Sequence, residues 1–324
     1  MKLVINIFPK GAQMIENKKT VCPECGGSNL GSNGKIKNIC RDCGKQWRKM
    51  HHSQLKEQAF QAQILELLEK KTIPIHRYHG DIVRFGVVSD THFGSLYEHE
   101  DVLHLAYKIF KEEGIDNVYH PGDMCDGEKM YRGQEYEIYA HGADNQVGAC
   151  CDRYPKFKGI QTYFILGSHD LSFYKQSGVN IGPKITEKRP DLIYIGQEEA
   201  DVVIRTKRGE IVLRMVHPGS GTAYALSYAP QKYIESLAGG QKPNVLLIGH
   251  YHNAEYLPCY RNIFACQVGS IQGQTPYMKR MKLAAHVGFW IFELRVGQDN
   301  SVMRFKAEFF AHYESRTIQR EIKI

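Results

Sequence analysis

With 324 residues, 42% of them hydrophobic, the chain can bury a sizeable core and has room for one large domain plus a small one, which excludes disorder as its default state. The net charge is +7, but residues 1–80 hold 14 Lys/Arg against 6 Asp/Glu, a balance of +8, so the rest of the chain is close to neutral at −1. The excess positive charge therefore sits at one end, where it suits either contact with nucleic-acid phosphates or a plain lysine-rich surface.

Along the chain, residues 1–9 are apolar but too short for a secretory signal, and no apolar run reaches the roughly 20 residues of a membrane-spanning helix. Residues 21–50 carry two C-x-x-C pairs, Cys22-Pro23-Glu24-Cys25 and Cys40-Arg41-Asp42-Cys43, separated by 14 residues. Each pair places two thiolates on one tight turn, and two such turns can close a tetrahedral S₄ cage around zinc. Gly26 and Gly44 suit the turns, and Asn33-Gly34 reads as a hairpin between two short strands. The segment resembles a zinc ribbon of the kind found in transposase-like and other nucleic-acid proteins. Lys35, Lys37, Arg41, Lys45, Arg48 and Lys49 surround Trp47, a pattern that fits phosphate contact plus base stacking. The alternative is a small staple with Trp47 in its own core. The total of nine cysteines is odd and sparse, which points away from a secreted disulfide framework and toward a reducing, cytoplasmic compartment. The five outside the pairs, Cys125, Cys150, Cys151, Cys259 and Cys266, are expected to be buried or half-buried small side chains.

Residues 53–71 predict a helix: Phe60, Ile64, Leu67 and Leu68 recur at helical spacing, Ser53 can cap the start, and Lys70 and Lys71 suit the C-terminal end. Ile73-Pro74 terminates it. The expected organisation is a ribbon module over 1–50, a helical linker over 51–75 and a large domain over 76–324.

From residue 81 the pattern changes to short apolar strands alternating with helices. Strands are predicted at 82–89, 117–120, 161–166, 211–217 and 245–248, and helices at 100–113 and 227–238. Residues 128–158 read as a polar, partly helical insertion, and 286–324 as antiparallel strands that close the domain. Each of the five strands runs into a polar cluster: Asp90-Thr91-His92, Gly122-Asp123-Met124-Cys125-Asp126, Gly167-Ser168-His169-Asp170, His217-Pro218-Gly219 and Gly249-His250-Tyr251-His252. Sites at the C-terminal ends of strands are usual in α/β sheets. A mixture of carboxylate and imidazole suits Mn, Fe or Zn rather than Ca. Two such ions held about 3.5–4 Å apart activate water and clamp a phosphoryl group.

In this order the clusters resemble the signature of the calcineurin-like metallophosphoesterase superfamily: D-x-H, G-D-x-x-D, G-N-H-D, a single H, then G-H-x-H. The resemblance spans 84–252. It implies an α/β (α+β) fold in which two β-sheets form a sandwich flanked by helices, and hydrolysis of phosphate esters by a metal-activated water. It further implies that Asp90, His92 and His252 hold one divalent ion, that Ser168, His217 and His250 face a second, and that Asp123 bridges both. By the same resemblance His169 stabilises the transition state or protonates the leaving oxygen, and Asp170 orients it. Asp126 reads as a loop-stabilising residue and His120 as a packed strand-end histidine.

One position departs from the pattern: Ser168 stands where the family has asparagine. Its hydroxyl is shorter and a poorer donor than an amide carbonyl, so the readings open are a working variant, an inactivated site and a degenerate protein. Together the signature and the basic N-terminal module point to a manganese-dependent nuclease acting on DNA or RNA. The alternatives are a phosphatase or phosphodiesterase for a small molecule or phosphoprotein, and a non-catalytic nucleic-acid-binding subunit. A module of about 30 residues needs its metal to fold. A strong chelator is therefore expected to strip one zinc per chain and unfold this module alone, read as a shift of Trp47 fluorescence together with the released metal.

Overall fold

The computed structural model describes residues 30–33, 37–43, 45–48, 73–219 and 225–313. Its contacts divide the chain into two compact units, Met1–Thr72 and Ile73–Ile324. In the first unit β1 (Leu30–Asn33), β2 (Lys37–Cys40) and β3 (Gln46–Arg48) form an antiparallel sheet in that order. β1 and β2 form a hairpin, but Asn33 is itself paired, opposite Lys37, so the connection is residues 34–36 rather than a turn centred on Asn33-Gly34. Cys40 is buried and Cys43 exposed. Cys22, Cys25 and the helix expected over 53–71 lie outside the described residues.

The second unit is built on two six-stranded sheets. The first contains β5 (Ile82–Val87), β6 (Asn117–His120), β7 (Gln161–Leu166) and β8 (Leu192–Gln197) as parallel neighbours. It is extended past β5 by the antiparallel pair β14 (Gly288–Val296) and β15 (Val302–Ala311). The second sheet runs β12 (Ala254–Tyr260), β13 (Ile263–Val268), β11 (Val245–Ile248), β10 (Glu210–Val216), β9 (Glu199–Arg205) and β4 (Ile75–Arg77). Within it β10, β11 and β13 are parallel, β12 runs against β13, and β9 runs against β10 but parallel to β4.

Period-two alternation decides which side chains meet between the sheets. Val83, Phe85 and Val87 of β5 pack inward with Phe292 and Leu294 of β14, against Leu213 and Met215 of β10 and Leu247 of β11. Alternate residues of the first sheet pack outward under α1 (Glu100–Glu112), α2 (Ala143–Arg153), α3 (Leu171–Ser177) and α4 (Ile181–Lys188). There Val88, Val118 and Phe164 meet Leu103, Phe110 and Ile185. On the far face of the second sheet Ile234 of α5 (Tyr228–Ser236) packs on Val216, Leu246 and Ile263. The result is the helix–sheet–sheet–helix layering expected from the sequence, with helices covering both outer faces. A short helix, α6 (Pro276–Met281), follows β13.

The predicted strands and helices of this unit fall within a few residues of the observed ones, and the tail forms the expected antiparallel pair. The prediction omitted β4, β8, β9, β12, β13, α3, α4 and α6. Of the five other cysteines Cys125, Cys150, Cys151 and Cys266 are buried, whereas Cys259 is exposed at an irregularity of β12.

Candidate metal centre

The loops that leave β5, β6, β7, β10 and β11 converge at one end of the sandwich. They bring together Asp90 and His92, Asp123, Ser168 and His169, His217, and His250 and His252. Five of these residues have left-handed backbone: Asp90 (φ 51), His92 (φ 49), Asp123 (φ 55), His250 (φ 79) and His252 (φ 53). That conformation is costly for residues bearing a Cβ and clusters at functional sites. Here it turns the chain within a residue or two of each strand end while the side chain stays aimed at the centre. Two glycines complete the fit. A Cβ at Gly122 (φ +100) would lie 2.4 Å from His217 Nδ1, and one at Gly167 would lie 2.3 Å from Asp123 Oδ1.

The donors form two triads, Asp90–His92–His252 and Asp123–His217–His250, each with its ligand atoms within 4.8 Å of one another. Asp123 lies between them, its Oδ2 2.9 Å from His217 Nε2 and 4.0 Å from His92 Nε2. Asp90 Oδ1 is 3.3 Å from His252 Nε2. Asp90, His92, Asp123 and His217 are at most 1% exposed.

Ring tautomers are fixed by oxygen acceptors. His217 Nδ1 donates to the Pro121 carbonyl (2.8 Å), His92 Nδ1 to Asp126 Oδ1 (2.9 Å) and His169 Nδ1 to the Asp126 carbonyl (2.5 Å). In a neutral ring this leaves the Nε2 lone pair for the centre. His92 Nε2 and His252 Nε2 face each other at 3.2 Å, and His217 Nε2 faces Asp123 Oδ2 at 2.9 Å. Lone pairs and carboxylates turned toward one another in a buried site are what a divalent cation satisfies, so the donor set fits two such ions.

The electrostatics agree. Burial opposes ionisation of Asp90, yet His252 and His217 hold it down to about 2. Asp123 is likewise held well below the carboxylate range, against burial, by His217 and His169. Burial lowers His92, and it lowers His250 to about 4. His217 is raised to about 9: burial works against its charge, but Asp123 and Asp90 outweigh it. His169 is also raised, because Asp123 and Asp126 overcome its burial.

Ser168 is buried at the edge of the second triad, its hydroxyl 3.5 Å from Asp123 Oδ2. Asp170 does not take the role expected of it. Its carboxylate accepts the N–H groups of Gly167 (3.0 Å), Met124 (3.1 Å) and Cys125 (2.8 Å) and so staples two ligand loops together. Burial, followed by the charge of Asp123, pushes it up to about 7. Asp126 holds His169 instead, and holds His92 with it. Asp126 is itself fixed by Gln134 Nε2 on Oδ2 (3.0 Å) and by Gln272 Nε2 on Oδ1 (3.0 Å). The two glutamines carried no sequence signal, since a lone amide far from any motif cannot be told from a surface residue. His120 is fully buried and contacts Thr91, as a packed strand-end histidine should.

The centre opens into a cleft of about 430 Å³. His169, His250, His252 and Ser168 line its polar side, and Met130, Tyr131, Tyr277, Met278 and Leu283 its apolar side. Tyr131, from the polar insertion, is half-buried in this wall. Tyr136 and Arg132 are exposed outside it, as are Lys279 and Arg280. Gly219 lines the cleft, and residues 220–224 lie outside the described residues.

A family model described as calcineurin-like phosphoesterase matches residues 83–254, and the chain belongs to that family. It is accordingly a metal-dependent phosphoesterase of a family that uses two divalent ions. No curated protein matches the chain. Among solved structures it is similar to a dimetal phosphatase from Danio rerio (9% identity, 72% of this chain and 100% of that one, TM-score 0.37). It is also similar to a 5′-nucleotidase precursor from Thermus thermophilus (11% identity, 71% and 54%, TM-score 0.37). A third is GAP50, the anchor in the inner membrane complex of Plasmodium (13% identity, 92% of that chain and 74% of this one, TM-score 0.38). No helix among the described residues is long and apolar enough to cross a membrane.

Two outcomes follow from this geometry. Because His217 is held protonated up to about 9 in the metal-free centre, cation binding at neutral pH must displace its proton. Calorimetric titration with manganese in buffers of different ionisation enthalpy is expected to show about one proton released per chain, and affinity should rise roughly tenfold per pH unit between 6 and 8. Asp126→Ala removes the acceptor that orients His92. It is expected to lower both metal affinity and the hydrolysis of bis-p-nitrophenyl phosphate by roughly 10–100-fold while the fold persists by circular dichroism.

Proposed function

We propose that the chain is a manganese-dependent phosphodiesterase that cuts nucleic acid. The observation that carries the reading is the meeting of two buried Asp/His triads at Asp123, at the floor of a cleft wide enough for more than a phosphate. In this reading Asp90, His92 and His252 hold one cation, His217, His250 and Ser168 face the other, and Asp123 is shared. When bound, the two ions lower the pKa of a water and neutralise charge on the phosphoryl oxygens. The protein's own groups do the rest. His169, whose pKa is raised by Asp123 and Asp126 against its burial, donates a proton to the departing oxygen, and the Asp126 carbonyl fixes its ring. Asp170 keeps the loops of Asp123 and His169 in register.

The choice of nucleic acid is supported by charge and by the N-terminal cysteines. Residues 1–72, outside the catalytic unit, hold 13 Lys/Arg against 6 Asp/Glu, an excess of +7, and include two C-x-x-C pairs suited to a structural zinc. Such a module supplies phosphate contacts that the nearly neutral remainder of the chain lacks.

The test is hydrolysis with manganese of single-stranded DNA, duplex DNA, RNA and bis-p-nitrophenyl phosphate. At least one polynucleotide is expected to be cut, with a rate at limiting substrate that falls steeply with salt as counterions compete for phosphate contacts. Cleavage of the small diester alone would replace the nuclease reading with a small-molecule one. Ser168→Asn is expected to raise turnover or occupancy of the second ion. An unchanged rate and metal content would show that the serine does not impair the centre. Binding of polynucleotide without hydrolysis, even in Ser168→Asn, would leave a non-catalytic subunit.

A further inference from the structure

The apolar side of the cleft is more ordered than a solvent-facing wall needs to be. Tyr131 comes from the insertion after β6, and Tyr277 from α6. Their rings stack with centroids 4.1 Å apart and planes at 16°. Tyr131 is held at its far end, where its hydroxyl donates to Glu137 Oε2 (2.8 Å), a carboxylate only 6% exposed, and also engages the Thr275 side chain. Tyr277 is held by the helix that Thr275 caps through Met278 N (3.2 Å). Both residues are half-buried and both line the cleft, so part of each stays accessible to its occupant.

The chemistry of that occupant follows from what the wall contains. Met130, Met278 and Leu283 line the cleft with the tyrosines, and no Lys or Arg is among the described residues that line it. A second phosphate or a carboxylate would find no counter-charge here. A flat, neutral ring would find a rigid aromatic surface with apolar edges.

The wall is also tied to the reacting groups. Met130 N donates to Gln134 Oε1 (2.9 Å), and Gln134 in turn donates to Asp126, which holds His92 and His169. Gln272, on the segment that leads to Tyr277, donates to the same carboxylate.

We propose that the stacked Tyr131–Tyr277 pair is a nucleobase platform, on which the base of the nucleotide esterified to the reacting phosphate becomes the third ring of the stack. This rests on the nuclease reading for its substrate, but its test does not require turnover. The manganese-loaded full chain is titrated by calorimetry with thymidine 5′-phosphonate and with the same sugar phosphonate lacking the base, neither of which can be hydrolysed at phosphorus. The base is expected to tighten binding by roughly tenfold or more, the scale of one base stacked on an aromatic side chain. That advantage should collapse in Tyr277→Ala and persist in Tyr277→Trp, while the base-free ligand binds all three proteins alike. Equal affinity of the two ligands for the wild-type protein overturns the proposal without any variant, so poor folding of one leaves the question decided. Equal weakening of both ligands in Tyr277→Ala overturns it as well, because it assigns Tyr277 a structural role. Base-dependent binding in a protein that cuts no polynucleotide would keep the platform and remove the nuclease reading. Base-independent binding with polynucleotide cleavage would do the reverse.

Discussion

Two carboxylates, Asp90 and Asp123, sit almost fully buried at the meeting point of five loops, and the catalytic unit is organised around neutralising them. Removing an ion from water costs several kcal/mol even after relaxation, on the order of a whole domain's net stability when two are involved. Backbone N–H groups meet part of that demand: His250 N reaches Asp90 and His169 N reaches Asp123. The remainder needs positive charge, which His217 supplies and which bound cations would supply in its place. The topology serves this demand. The strands that feed these loops are parallel to one another within each sheet, so their C-terminal ends, and the loops after them, gather on the same side.

Local geometry bears a cost for the convergence. A left-handed residue with a side chain is less stable than an ordinary one by roughly 1–2 kcal/mol, and five such residues stand around the centre. The core between the sheets, with Phe85, Phe292, Leu213 and Leu247 fully buried, supplies the stability against which that strain is tolerated. It also holds the strand ends rigidly enough for the strain to persist. The glycines at 122 and 167 have a different task. They let His217 and Asp123 approach the neighbouring backbone more closely than any Cβ would permit.

Most of this was legible in the sequence because strand, turn and ligand occur together in it. Asp90-Thr91-His92 directly follows a β-branched run, and Gly249-His250-Tyr251-His252 follows Val245–Ile248, so periodicity and chemistry reinforced each other. The missed strands lacked that coincidence. Leu192–Gln197 and Ala254–Tyr260 lie at or near sheet edges with mixed burial, and their hydrophobic pattern is weak. The roles of Asp126 and Asp170 were exchanged for a different reason. Adjacency in sequence suggested that Asp170 would orient His169. Asp170 instead turns toward the backbone of the neighbouring loop at the start of α3, and the ring of His169 meets a residue 43 positions away. Sequence spacing carries no information about such a contact. Nor does it reveal that Tyr131 and Tyr277, 146 positions apart, share a stack.

Asp126 therefore links the two sides of the cleft. One oxygen receives both His92 and Gln272, the other receives Gln134, and the carbonyl receives His169 and Gln134. Its neighbours come from the insertion and from the segment after β13, which also carry the tyrosine wall. A displacement of that wall would pull on the glutamines, and through them on the carboxylate that sets the tautomer and direction of His92. Buried polar networks of this kind rigidify when every member is satisfied, and each of these bonds is made. A substrate seated against the wall thus bears on the same framework that positions the imidazole beside its phosphate. The two sides of the cleft are braced by one buried carboxylate.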